Sequence, residues 1–196
     1  MNIAHFLTIL RIAISPVFPI LYLGYDKLGI PFVAVPFLML FFLAISESSD
    51  LFDGVLARKR NQVTDLGKVL DPMADSITHI SLFITFTQGP VQLSLIFVFI
   101  FLYRDFFIST LRTLCALRGV ALAARFSGKL KTVLQGLAAL SIILMLIAYK
   151  EGWISLKALQ EGSFAFVGIA ALYTVISVWD YIYANRLYIR KAIAAK

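Results

Sequence analysis

Six apolar stretches, over residues 6–24, 31–49, 72–88, 92–115, 128–149 and 163–184, run through this chain. Each is close to the ~20 residues that an α-helix needs to cross a bilayer core. The predicted fold class is therefore an all-α integral membrane protein with six transmembrane helices. Of the 196 residues 60% are hydrophobic and 15% charged, against roughly 45–50% and 25% in soluble domains, which excludes a soluble globular protein. No linker, low-complexity tract or periodic repeat divides the chain, so residues 1–196 are read as a single membrane domain. The first apolar stretch carries Arg11 at its middle and has neither a basic leader nor a small-residue cleavage site, as expected of a retained helix. Cys115 is the one cysteine, so neither an internal disulfide nor a thiolate metal cage can form.

Positive residues are retained on the cytoplasmic face of a membrane protein, and here they separate cleanly. Arg58, Lys59, Arg60 and Lys68 lie between the second and third stretches. Arg112, Arg118, Arg125, Lys129 and Lys131 lie between the fourth and fifth, and Arg186, Arg190, Lys191 and Lys196 in the tail. The opposite loops hold Lys27, Lys150 and Lys157, balanced by Asp26, Glu151 and Glu161. The net charge of +7 thus falls on one face, and both termini are expected in the cytoplasm. Such a face suits anionic membrane lipids or phosphate-bearing substrates, or serves only as a topology signal; no nucleic-acid partner is expected.

Where the second stretch ends and the third begins, the chain reads DLFDGVLARKRNQVTDLGKVLDPMAD over residues 50–75. At helical spacing Asp50, Asp53, Gly54 and Ala57 share one face, and Gly67, Asp71 and Asp75 share another. The short segment from Arg58 to Leu66 would be the hairpin that aims them at each other, with Asp65 as a loop acid. Carboxylates gathered this closely repel by about 4 kcal/mol per pair at ~4 Å and an effective dielectric near 20, a large part of a domain's stability. Either several are protonated or they hold cations. An oxygen-only donor set indicates hard ions, Mg²⁺, Mn²⁺ or Ca²⁺, and two ions sharing four carboxylates suit phosphoryl chemistry. His79, one turn beyond Asp75, is read as a helix-lining residue. Gly54, Ala57 and Gly67 leave the backbone bare on the acidic faces, which allows either close helix packing or the approach of a ligand.

Asp50, Asp53, Gly54, Ala57, Arg58, Gly67, Asp71 and Asp75 match every fixed position of D-x-x-D-G-x-x-A-R-x8-G-x-x-x-D-x-x-x-D. The chain therefore resembles the CDP-alcohol phosphotransferases. The resemblance implies that family's six-helix fold, a homodimer, and transfer of a substituted phosphoryl group from a CDP-linked donor to an alcohol with release of CMP. It also implies a two-metal site of Mg²⁺ or Mn²⁺ held by Asp50, Asp53, Asp71 and Asp75, with Asp75 as the base that takes the acceptor's proton. Gly54, Ala57, Arg58, Gly67 and Thr64 would contact the CDP-linked donor. Thr64 has a second reading as a loop-capping threonine.

The acceptor has to be read elsewhere. RDFFISTLR places Arg104 and Arg112 two turns apart on one helix face, and GKLKT opens the next helix with Lys129 and Lys131. A cation inside an apolar helix needs a partner or water. Asp105 points about 100° away from Arg104 and is not expected to be that partner, which leaves an anionic substrate, lipid phosphates or the acidic site. RDFFISTLR, FSGKLKTVLQ and HFLTILR resemble segments of bacterial phosphatidylglycerophosphate synthases, keeping Thr8 and Arg11 but carrying Ala4 and His5 where those have Pro and Asn. The resemblance implies CDP-diacylglycerol as donor, with Thr8 among its contacts. It implies sn-glycerol 3-phosphate as acceptor, its phosphate held by Arg104, Arg112, Lys129 and Lys131, on the cytoplasmic side of a bacterial inner membrane. Inositol phosphate, phosphatidylglycerol or serine are the alternative acceptors, and a cation transporter the alternative class. Glu47, one turn before Asp50, is either an orienter of metal-binding groups or a snorkelling or protonated acid.

Overall fold

A computed structural model of the chain describes the backbone of residues 3–59, 65–117, 119, 122 and 125–194, and the side chains of 6–49, 70–117, 119, 122 and 125–190. Among these residues the secondary structure is all helical: α1 (Ile3–Ile14), α2 (Val17–Gly24), α3 (Ala34–Lys59), α4 (Asp65–Phe86), α5 (Leu95–Leu117), α6 (Phe126–Lys150) and α7 (Leu156–Ala194). By length and composition Phe6–Gly24, Phe126–Lys150 and Leu156–Arg190 qualify as membrane spans, with Ala34–Ser49 a shorter apolar helix. The stretches 72–88 and 92–115 also fall on helices, but acids and cations interrupt their apolar sequence.

The element boundaries depart from the expected ones for identifiable reasons. The first stretch is two helices, because Pro16, which caps α2, has no N–H to continue the ladder. There the Ser15 hydroxyl donates to the Arg11 carbonyl at 2.9 Å. α3 does not stop at the apolar edge but runs to Lys59, and α4 starts at Asp65. Asp65 is thus the first residue of a helix rather than a loop acid, and the acidic positions lie on two continuous helices. α7 starts seven residues before the expected 163, immediately after a turn in which Gly152 takes φ +77°.

α1 and α2 pack on α3 and α4, α6 on α3, α4 and α7, and α5 on α4 and α7. Phe18, Met39, Phe83, Phe101, Ile142 and Leu146 are buried at these contacts. The polarity of the bundle is that of a membrane protein. Thr8, Arg11, Ser46, His79, Lys131 and Gln135 are buried, while Phe106, Leu172 and Trp179 are 65–71% exposed. In lipid, outward apolar side chains lose nothing and inward polar groups hold helices together.

Candidate active site

The acidic face of α4 is held by α1. Thr8 Oγ1 donates to Asp71 Oδ1 at 3.0 Å, and the Arg11 guanidinium donates to Asp75. One turn further, the hydroxyls of Ser15 and Thr78 are 3.0 Å apart. Thr8, Arg11 and Ser15 share one face of α1, just as Asp71, Asp75 and Thr78 share one face of α4. The repeated register turns both carboxylates the same way. Arg11 is 2% exposed, so a buried cation sits against the acid expected to be the base. Its position inside an apolar run is a signal that could have pointed to such a partner, since a cation there needs one.

A second polar cluster adjoins the first. Lys131 Nζ donates to both Asp105 oxygens, at 2.8 and 2.9 Å. Ser76, next to Asp75, donates to Asp105 Oδ2 at 2.7 Å. Arg104 Nη1 lies 3.0 Å from Asp105 Oδ1, and its Nε donates to Ser177 at 3.3 Å. This corrects the expectation that Asp105 points away from Arg104. The Cβ vectors diverge, but a guanidinium on a three-carbon stem reaches back across that angle. The guanidinium packs against α6 at Gly128, where a Cβ would lie 3.4 Å from Arg104 Nη2. The Asp75 carboxylate is near enough for its charge to act on Lys131.

Of the four cations expected around an acceptor phosphate, Arg104 and Lys131 come together at Asp105. Arg112 lies beside Tyr181 of α7. Lys129 is exposed: two residues before Lys131 on α6, it projects from nearly the opposite side of the helix. Two cations facing one carboxylate leave the cluster net positive. Asp105 as the hub, with Ser76, is a functional grouping that spacing along the chain did not reveal.

One turn below Asp75, His79 is buried, and its Nε2 lies 3.6 Å from Glu47 Oε1 on α3. A Cβ at Gly136 of α6 would lie 3.5 Å from the same nitrogen and 4.0 Å from Glu47 Oε1. His79 therefore faces a polar contact between three helices rather than simply lining one.

The side chains of Asp50, Asp53, Ala57 and Arg58, the surroundings of Gly54 and Gly67, and Thr64 altogether lie outside the described residues. Among the described residues no three His, Cys, Asp or Glu side chains gather to hold a metal ion. Asp71 and Asp75 nevertheless fit a hard cation. They are oxygen donors one turn apart, each oriented by a donor from α1, and the Arg11 guanidinium on Asp75 is a charge that a cation there would have to share the carboxylate with or displace.

Known proteins resemble this chain over nearly its whole length. The sequence model of the CDP-alcohol phosphatidyltransferase family matches residues 1–185. The chain is 30% identical over 195 residues to the CDP-diacylglycerol–glycerol-3-phosphate 3-phosphatidyltransferase of Bacillus subtilis (strain 168), covering 94% of this chain and 95% of that one. It is 35% identical over 189 residues to the protein of the same name from Rickettsia typhi, covering 95% and 98%. It is 28% identical over 187 residues to that of Yersinia enterocolitica, covering 94% of each. With its acidic face on α4, its half-buried Arg104 on α5, its buried Lys131 on α6 and a family match over nearly its whole length, the chain belongs to the CDP-alcohol phosphatidyltransferase family.

Proposed function

We propose that this chain makes phosphatidylglycerophosphate and CMP by transferring the phosphatidyl group of CDP-diacylglycerol to sn-glycerol 3-phosphate. The names of its relatives supply the two substrates. The observation that carries the reading is the meeting of Asp75 with the net-positive Arg104–Lys131–Asp105 cluster, joined through Ser76. An acceptor whose phosphate rests near those cations brings its hydroxyl towards Asp75. Serine and phosphatidylglycerol carry no phosphate monoester that would need such a cluster.

The residues divide the work. Asp75 takes the hydroxyl proton as the oxygen attacks the phosphorus joined to diacylglycerol, and the bond to CMP breaks. Thr8 and Arg11 hold Asp71 and Asp75 in place. Arg58, Gly54, Ala57, Thr64 and Gly67 accept the CDP half of the donor. Asp50, Asp53, Asp71 and Asp75 would hold two Mg²⁺ or Mn²⁺ ions, which when bound neutralise the charge that builds on the pyrophosphate. In the same reading the chain is a homodimer in a bacterial inner membrane, crosses it six times, and opens its site to the cytoplasm.

The decisive experiment incubates detergent-purified protein with CDP-diacylglycerol, Mg²⁺ or Mn²⁺ and, separately, glycerol 3-phosphate, inositol phosphate, serine and phosphatidylglycerol, and measures CMP. Release with glycerol 3-phosphate above the others is expected. Release with serine alone would overturn the assignment.

A further inference from the structure

Directly below the reacting layer lies a second layer of buried polar groups that the reaction as described leaves unused. His79 stands one turn below Asp75 on α4, and Gln135 one turn below Lys131 on α6. They are 4% and 1% exposed. His79 Nε2 faces Glu47, but His79 Nδ1, both ends of the Gln135 amide and the buried hydroxyl of Ser46 on α3 have no hydrogen-bond partner among the described residues. A buried polar group left without a partner is costly, and such groups are scarce in folded proteins unless something absent completes them. Three from three helices, in register beneath Asp75 and Lys131, call for a small hydroxylated occupant.

The chemistry of the pair is complementary to an alcohol. Glu47 faces His79 Nε2. It favours the tautomer that carries its proton on that nitrogen, leaving Nδ1 as an acceptor. The Gln135 amide offers a donor. A hydroxyl group can donate to the one and accept from the other. The imidazole packs against α6 at Gly136, where a Cβ would lie in ordinary contact with its Nε2 at 3.5 Å.

We propose that His79, oriented by Glu47, and Gln135 form a subsite for the hydroxyl of the acceptor that does not react. The inference rests on the proposed function for the identity of that group: in glycerol 3-phosphate it is the central hydroxyl, between the phosphate end and the attacking oxygen. These residues are specificity-determining rather than catalytic. They select a polyol phosphate over an otherwise equal alcohol phosphate, because an acceptor lacking the hydroxyl leaves buried polar groups unpaired.

The test compares kcat/KM for glycerol 3-phosphate and for 3-hydroxypropyl phosphate, which differs only in lacking the central hydroxyl. The wild-type protein should prefer the former by about tenfold or more. In His79→Leu and Gln135→Met that ratio should collapse towards one, and His79→Asn, which keeps a polar atom near the Nδ1 position, should restore part of it. A wild-type ratio near one overturns the subsite without reference to any variant. So does a loss in the variants that both acceptors share equally, since a structural role would produce it. Release of CMP with neither of these phosphates but with another alcohol would instead overturn the proposed function, and with it the ligand named here.

Discussion

Asp75 is held by a buried guanidinium and lies at the end of an acidic face, so its charge and its geometry are testable separately. Asp75→Asn keeps the shape and a hydrogen-bond acceptor for Arg11 but cannot take a proton. CMP release should fall to background while CDP-diacylglycerol still binds, as read by a direct binding assay. Turnover surviving in that variant would remove Asp75 as the base. Asp105 makes a different prediction, because three donors converge on it. Asp105→Ala strands a buried ammonium and should cost about 3–5 kcal/mol, visible as a marked fall in the detergent melting temperature. Lys131→Met combined with Asp105→Leu removes the pair together, and should recover most of the stability while the KM for glycerol 3-phosphate rises. Resemblance marked Arg11 but not its partner, although a cation in an apolar run must find one. Spacing along the chain did not mark the Asp105 hub, because the choice of partner is made across α4, α5 and α6 and follows how those helices pack. Thr8 was picked out as a donor contact by resemblance, and the structure adds that its hydroxyl holds Asp71.

At the level of elements, hydrophobic runs located the helices but not their ends. A run stops where its apolar residues stop, whereas α3 and α7 continue through polar sequence for as long as the ladder is unbroken and neighbouring helices support it. Reading 6–24 as one stretch passes over a proline inside the run. Pro16 divides α1 from α2, and the turn at Gln88–Pro90 closes α4. That turn rests on one glycine. Gly89 has φ +65°, and a Cβ there would lie 2.8 Å from the Tyr22 hydroxyl, which donates to the Gln88 carbonyl at 3.2 Å. Gly89→Ala should therefore cost at least about 1–2 kcal/mol from the left-handed backbone alone, with the displaced tyrosine in addition. Gly24→Ala, at the end of α2 with nothing within 4 Å of the added carbon, is the matched control and should be nearly neutral. Equal melting temperatures for the two variants would show that the turn tolerates rearrangement. Gly162 is a different case, since its added carbon would meet the tip of Met145, a flexible side chain that can move aside.

Across the whole molecule, the side-chain pairs also report the direction of each helix. Thr8–Asp71 and Ser15–Thr78 advance together along α1 and α4, so those two helices run parallel. Arg104–Ser177 and Arg112–Tyr181 advance together along α5 and α7, which makes that pair parallel as well. A chain that crosses a bilayer six times, with α1 and α2 as one span, requires both relations: first and third spans alike, fourth and sixth alike. In that six-span reading, the positive-inside rule assigns the basic end of α7, with Arg186 and Arg190, to the cytoplasm. α7, at 39 residues, is about 58 Å long against a hydrocarbon core of ~30 Å, so in the same reading its basic end projects past the membrane on the side of the proposed site. Cysteine labelling can read this directly, because the native thiol of Cys115 is 0% exposed and contributes little background. Lys27→Cys, Lys157→Cys and Arg190→Cys each replace an exposed residue. A membrane-impermeant maleimide added to intact spheroplasts should label the first two and reach the third only after lysis. Labelling of Arg190→Cys from outside would reverse the assigned orientation. Labelling of Lys27→Cys and Lys157→Cys from opposite sides would rule out six crossings.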